Sequence, residues 1–322
     1  MLGEFELIRH YFAAAACAQA ADGVVLGIGD DCALLEVPVD EQLAVSTDTL
    51  VAGVHFPADA AGLLLGQRAL AVSVSDLAAM GAAPLAFTLA LTLPDAAPDW
   101  LADFTAGLES MARHCGVHLI GGDTTRGPLS LTLTVFGRVP KGLALTRAGA
   151  RAGDLLCVGG SLGDAAGALP FVLGEQPLRE DANALLAHYW SPSPQLALGQ
   201  ALRGLATAAL DISDGLLADC GHIARASGVA LIVEQQRLPL SAALRACAGD
   251  ETARQLALAG GDDYVLAFTL PAEKLDGLRA MGQPVHVIGR VEAGQGVHLQ
   301  DAEGRAIQPL QRGYQHFGSQ RD

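Results

Sequence analysis

Six aspartates in this chain sit where a carboxylate is unfavourable. Each ends or interrupts an apolar run: Asp30 in VVLGIGDD, Asp48 in LAVSTD, Asp76 in LAVSVSD, Asp123 in LIGGD, and Asp211 and Asp214 in LDISD. Burying an unpaired carboxylate costs several kcal/mol or forces it to neutralise. One such residue reads as a cap or a turn. Six, each with Gly, Ser or Thr beside it or two positions away, read as an acidic cluster held by hard cations. Mg²⁺ takes few protein carboxylates and completes its shell with water and substrate phosphates. The residues therefore predict an enzyme that handles a Mg²⁺-nucleotide.

Each motif has a plainer alternative. GIGDD at 27–31 offers bare backbone before two carboxylates, or a tight turn capped by Asp. STDT at 46–49 offers hydroxyls and a carboxylate after a strand, or a helix N-cap. GGDTTRG at 121–127 combines backbone N–H groups and Arg126, which suit phosphate oxygens, with a carboxylate suited to a metal; a Gly-rich hairpin is the alternative. In DISDG at 211–215, Ser213 or Asp214 can simply cap the following helix. VGGSLGDAAGAL at 158–169 lacks the GxGxxG order and reads as a structural strand-to-helix turn. His55 follows Asp48 by seven residues and reads either as a ligand contact or as a structural histidine.

Composition narrows the classes. The chain has 322 residues, half of them apolar, which suffices for two ordinary domains. A formal charge of −15 argues against nucleic acid or an anionic membrane as partner. The two lysines, Lys141 and Lys274, follow no GxxxxGK[ST] loop, and the protein-kinase motif set is absent. The six cysteines (17, 32, 115, 157, 220, 247) form no CxxC pair and read as buried free thiols of a cytoplasmic protein. The segment YFAAAACAQA is preceded by Glu4 and Glu6 rather than by positive charge, so it does not read as a signal peptide. The uncharged stretch 77–94 contains Gly81 and Pro84 and then alternates, so it reads as a helix end and a strand rather than a membrane span.

The elements that must position these residues follow from periodicity. Residues 4–19 read as a helix, 43–49 as a strand, 62–80 as an apolar helix carrying Asp76, and 99–115 as a helix. LAFTLALTL at 85–93 and LSLTLTV at 129–135 alternate large apolar residues with small or polar ones. They predict strands with one face packed on helices, as in an antiparallel sheet, and a small polar face suited to a barrel or a subunit contact. PKGLALTRAGARAGD breaks the pattern, and the expected domains are 1–145 and 146–322. The second should carry strands at 154–158, 207–212, 229–233, 264–269 and 285–291, helices through about 204, and a helix at 215–227. This order predicts an α+β fold rather than a doubly wound sheet.

GIGDD, STDTLVAGVHF, SDLAAMGA at 75–82, GGDTTRG, DISDG and GGDDY at 260–264 together resemble the thiamine-monophosphate kinase family, in order and spacing, across nearly the whole chain. That family belongs to the aminoimidazole ribonucleotide synthetase superfamily. The resemblance implies a two-domain α+β subunit and a homodimer built around an intersubunit β-barrel, with a first domain that binds ATP and Mg²⁺ and dimerises. It implies transfer of the γ-phosphoryl of ATP to thiamine monophosphate, giving thiamine diphosphate. Asp30, Ser46, Thr47, Asp48, Asp76, Asp123, Asp211 and Asp214 match the positions that hold several Mg²⁺ ions. Gly122, Asp123, Arg147 and Ser213 match the ATP contacts, and His55, Asp262 and Phe317 match contacts to the thiamine end. Three positions depart from the family pattern: Asp262 replaces a Glu, Ser73 an Asn and Thr105 a Tyr. The rival readings are another enzyme of the superfamily and a Mg-nucleotide sensor without turnover.

Donor and acceptor are both anionic, and two carboxylates ~5 Å apart at an effective dielectric of ~20 already repel by roughly 3 kcal/mol. Metal ions, with Arg147 and Arg126, must invert that field. No residue stands out as a nucleophile or general base, so direct in-line transfer is expected.

Overall fold

The computed structural model describes residues 4–310 together with Gly313 and Tyr314. The chain divides into two compact units. One takes in the chain up to Ala78, Ala82–Ala144 and Trp190–Leu196; the other takes in Ala79–Gly81, Leu145–Tyr189 and the chain from Ala197 onward.

The first unit contains, in chain order, α1 (Glu4–Leu7), β1 (Val24–Leu26), β2 (Leu34–Leu35), β3 (Glu41–Val51), α2 (Gly62–Ala79), β4 (Ala83–Leu93), α3 (Pro98–Cys115), β5 (His118–Arg126) and β6 (Ser130–Pro140). The alternation that predicted β4 and β6 is the alternation of burial. Leu85, Phe87, Leu89, Leu91 and Leu93 are buried, as are Leu131, Leu133 and Val135. The sheet runs β3-β6-β4-β5, with β4 and β5 parallel and the other pairs antiparallel, so it is mixed rather than antiparallel. One register row reads Asp48, Leu133, Leu89, Gly122. On the opposite face Thr47 meets Thr134, and Thr49 meets Thr132, each hydroxyl pair at 2.9 Å. That face leaves Leu43 and Val45 exposed, Val45 by 54%.

Helices α2 and α3 cross at glycines. A Cβ on Gly66 would lie 2.3 Å from the Phe104 carbonyl oxygen, and one on Gly107 would lie 2.0 Å from that of Leu63. Only glycine permits backbones this close. The helix expected over 4–19 is broken: after α1 the backbone winds as a π-helix over Ile8–Ala13 and as a 3₁₀ turn over Ala16–Ala18. The physical reason lies on α3, where the Glu109 carboxylate accepts the Ala16 N–H and replaces a helical carbonyl.

The second unit carries β7 (Leu155–Val158), α4 (Asp164–Val172), α5 (Asn183–Trp190), α6 (Leu196–Ala201), β8 (Ala208–Asp211), α7 (Leu216–Ser227), β9 (Ala230–Glu234), α8 (Ala242–Ala248), α9 (Asp250–Ala259), β10 (Leu266–Leu270), α10 (Leu275–Ala280), β11 (His286–Glu292), β12 (Gly296–Gln300) and β13 (Ala306–Ile307). Its sheet runs β13-β12-β9-β11-β7-β10-β8, antiparallel except between β9 and β12. Leu156, Val158, Leu210, Leu231 and Ile288 pack with Leu216, Cys220 and Ile223 of α7 in one core. The architecture is thus a two-domain α+β fold with mixed sheets.

Four cysteines are buried as expected, and burial pushes the Cys115 and Cys157 thiols up to about 12. Cys32 is exposed and Cys247 half-buried, against expectation. Cys32 follows the polar GIGDD turn, which carries it out of the core. Among the described residues no helix is long and apolar enough to cross a membrane.

Candidate active site

Strand periodicity decides the first group. Ser46 and Asp48 are two apart on β3 and share the face that carries Leu50, while Thr47 points the other way. Asp76 comes from α2, and the Ser46 hydroxyl donates to its carboxylate. Burial first, and then the charge of Asp76, push the Asp48 carboxyl up to about 6, against the nearby Ser73 hydroxyl dipole, which favours the ionised form. The Ser73 hydroxyl, at the position of the expected Asn, lies beside Asp48 but donates to the Ala69 carbonyl of its own helix at 3.1 Å. Ser46, Asp48 and Asp76 are brought together as predicted. Thr47 is not: its hydroxyl is engaged with Thr134 on the opposite face.

His55 sits in the turn after β3, and its Nδ1 accepts the Val51 N–H at 3.0 Å. The tautomer that carries the proton on Nε2 is therefore the one this turn supports. Asp30 lies in an exposed turn, where its Oδ1 accepts the Asp31 N–H at 2.8 Å. Gly122 and Asp123 lie on β5, which the sequence reading treated only as a loop motif. A Cβ on Gly122, at φ 149°, would lie 1.9 Å from the Leu89 carbonyl oxygen, so glycine there is required by packing. Asp123 is exposed and pairs with Ala90. β3 and β5 are the two edges of the four-stranded sheet. Asp48 and Asp123 therefore stand three strand spacings apart, about 14 Å in one chain.

In the second unit two loops are joined by backbone hydrogen bonds. The Asp262 N–H donates to the Ser213 carbonyl and the Tyr264 N–H to that of Ile212, both at 2.8 Å. Ser213, Asp214 and Asp262 are thereby gathered. Asp211 ends β8 and is buried. A carboxylate the sequence reading passed over holds the DISDG turn: Asp219 accepts the N–H groups of Ser213 (3.0 Å) and Asp214 (2.9 Å). Burial pushes its carboxyl up to about 6 against those two bonds.

Asp263, also missed, is fully buried, and both of its oxygens accept the Gly163 N–H at 2.9 Å. It thereby ties down the turn between β7 and α4, so VGGSLGDAAGAL is the structural strand-to-helix turn it was read to be. Burial holds the Asp263 carboxyl well above the usual range. Arg147 is exposed, and its carbonyl accepts the Ser227 hydroxyl. It neighbours His222, whose pKa is lowered first by burial and then by the charges of Arg147 and Arg225, while Asp214 opposes them. His222 lies on α7, eight residues after Asp214, which precedes the helix, so no periodicity in the sequence flagged it. Phe317 lies outside the described residues.

Among the described residues no three His, Cys, Asp or Glu side chains are grouped to hold a metal. The Asp48–Asp76 pair nevertheless fits Mg²⁺: all donors are hard oxygens, the two carboxylates repel, and the ion needs only one or two of them.

Comparison with known proteins identifies the family of the chain. Residues 29–139 match the family model of the AIR synthase related protein N-terminal domain, and residues 151–302 that of the C-terminal domain. Thiamine-monophosphate kinase of Escherichia coli (strain K12) is 44% identical over 98% of this chain and 99% of its own length. The crystal structure of thiamine-monophosphate kinase from Stenotrophomonas maltophilia K279a superposes with a TM-score of 0.83 at 48% identity, covering 89% of this chain and 93% of that one. AaThiL complexed with AMPPCP and TMP gives a TM-score of 0.79 at 30% identity, covering 88% of this chain and 89% of that one. With similarity of this extent along both units, the chain belongs to the thiamine-monophosphate kinase family of AIR synthase related proteins.

Proposed function

We propose that this chain transfers the γ-phosphoryl group of ATP directly to the phosphate of thiamine monophosphate, giving thiamine diphosphate and ADP. Family membership supports the two substrates, and the structure of a relative is complexed with AMPPCP and TMP. The observation that carries the metal-dependent reading is the Asp48–Asp76 pair, in which burial and the Asp76 charge push the Asp48 carboxyl up to about 6 while the Ser46 hydroxyl donates to Asp76.

Asp30, Ser46, Asp48, Asp76, Asp123, Asp211 and Asp214 are assigned to Mg²⁺. Thr47 keeps its place in that set only through its backbone, since its side chain faces Thr134. Bound Mg²⁺ neutralises phosphate charge and aligns donor and acceptor for in-line displacement. The protein's own groups do the rest. Gly122, Asp123, Arg147 and Ser213 hold the nucleotide, with the Arg147 guanidinium supplying fixed positive charge. His55, Asp262 and Phe317 hold the thiamine end. Residues 1–145 act as the ATP/Mg-binding and dimerisation domain, and 146–322 as the α+β partner domain.

The exposed Val45 and Leu43 beside a threonine-lined face support a homodimer in which two such sheets close an intersubunit β-barrel. A second copy is also one way to bring the two edges that carry Asp48 and Asp123 near each other. Light scattering should give twice the chain mass, and a monomer would refute the barrel.

The test of function is incubation of the full chain with ATP, Mg²⁺ and thiamine monophosphate. Stoichiometric thiamine diphosphate and ADP are expected. Nucleotide binding with no product would favour the sensor reading.

A further inference from the structure

Asp262 and Tyr264 are the only non-glycine residues at positive φ among the described residues, at 67° and 50°. L-residues rarely hold this region, and they do so only where their surroundings over-determine it. Here the surroundings are explicit. The N–H groups of both residues donate to the 212–213 backbone at 2.8 Å. Between them Asp263 is buried against the Gly163 N–H, and its carbonyl lies 3.1 Å from His188 Nε2. The backbone is therefore fixed on both sides of Asp262. In that conformation the Tyr264 hydroxyl donates to Asp262 Oδ1 at 2.9 Å.

We propose that Tyr264 is a positioning residue for the acceptor: its hydroxyl holds the Asp262 carboxylate in one orientation toward the cationic, amine-bearing end of thiamine monophosphate. This rests on the function proposed above. The chemistry favours it because Asp262 is one methylene shorter than the Glu of the family pattern. A short arm with two rotatable bonds cannot search for its partner, so its orientation must be set in advance. A hydroxyl bonded to a carboxylate is charge-assisted, and it restricts the rotation of that group.

The experiment compares kcat and both KM values in the wild type, Tyr264→Phe, Asp262→Ala and the double variant. Tyr264→Phe keeps the ring and removes only the hydroxyl. It should raise KM for thiamine monophosphate about tenfold, as loss of one charge-assisted bond predicts. KM for ATP should stay within about twofold, and Tm within ~2 °C, because the backbone bonds remain. In the Asp262→Ala background the same change should have no further effect. The inference is overturned if both KM values rise together with a fall in Tm, if the full effect persists without Asp262, or if KM for the acceptor does not change. A wild type that fails to convert thiamine monophosphate sinks the parent reading and this inference with it. A wild type that converts it no better than Tyr264→Phe sinks this inference alone.

Discussion

Asp48→Asn should make the metal-free protein more stable while nearly abolishing its activity. The Asp48 carboxyl titrates at about 6 in the folded chain, against an ordinary value of 3.8. Held ionised at pH 7, such a group destabilises the fold by at most ~3 kcal/mol. Asp48 is only partly buried, so solvent screening reduces this to roughly 1–2 kcal/mol. The sign follows from the raised value. Below pH ~3.8 the group is protonated folded and unfolded, and contributes nothing. Between 3.8 and about 6 the unfolded chain ionises first and stability falls as pH rises. Above that the penalty is constant.

Asparagine keeps the size and shape of the side chain and removes the charge that Asp76 repels. In EDTA the variant should therefore match the wild type near pH 4 and melt higher at pH 8, by about 2–8 °C at 2–4 °C per kcal/mol. Adding Mg²⁺ and ATP should reverse the order, because the wild type gains more by mass action. Turnover should fall by about a hundredfold or more. Scanning calorimetry at the two pH values, with and without EDTA, together with a coupled ADP assay, reads every term. A variant that melts no higher than the wild type at pH 8 in EDTA, or that keeps full activity, would refute the repelling-pair reasoning.

Three further outcomes follow from the same geometry. His55→Asn keeps an acceptor for the Val51 N–H, so it should raise KM for thiamine monophosphate several-fold and leave KM for ATP unchanged; equal rises in steady-state assays would mean that His55 only supports its turn. Gly66→Ala places a methyl 2.3 Å from the Phe104 carbonyl oxygen, and thermal melts should show a loss of about 1–3 kcal/mol or more; an unchanged melt would show that α2 and α3 can separate freely. Free thiamine should be a very poor acceptor, and the rate with the monophosphate should fall as pH drops through ~6, where the acceptor phosphate gains a proton; efficient phosphorylation of free thiamine would reveal a general base not identified here.

What the sequence disclosed depended on how local the signal was. β4 and β6 were legible because their alternation maps directly onto burial. β5 was not: HLIGGDTTR has no alternation, contains two glycines, and pairs in parallel at an edge, so its strand character comes from β4 rather than from its own residues. β12 and β13 escaped for a similar reason, being short and peripheral. The direction of the Thr47 side chain was readable. Once STDT lies on a strand, period two places residues 46 and 48 on one face and residue 47 on the other. The sequence could not show that Asp48 and Asp123 stand on opposite edges, because strand order is set by non-local pairing.

The carboxylates also separate by their partners, which spacing alone could not reveal. Asp219 and Asp263 sit in apolar surroundings as Asp48 does, but each accepts backbone N–H groups, from residues five to six positions away or a hundred. Their charge is answered inside the fold, and they hold the shape of loops. Asp48 and Asp76 face each other and the Ser46 hydroxyl, and the field between them is unfavourable in the chain alone. An apolar run that ends in Asp therefore marks a position that needs an answering charge or donor. Whether the fold or a ligand supplies it decides which aspartates are architecture and which are site.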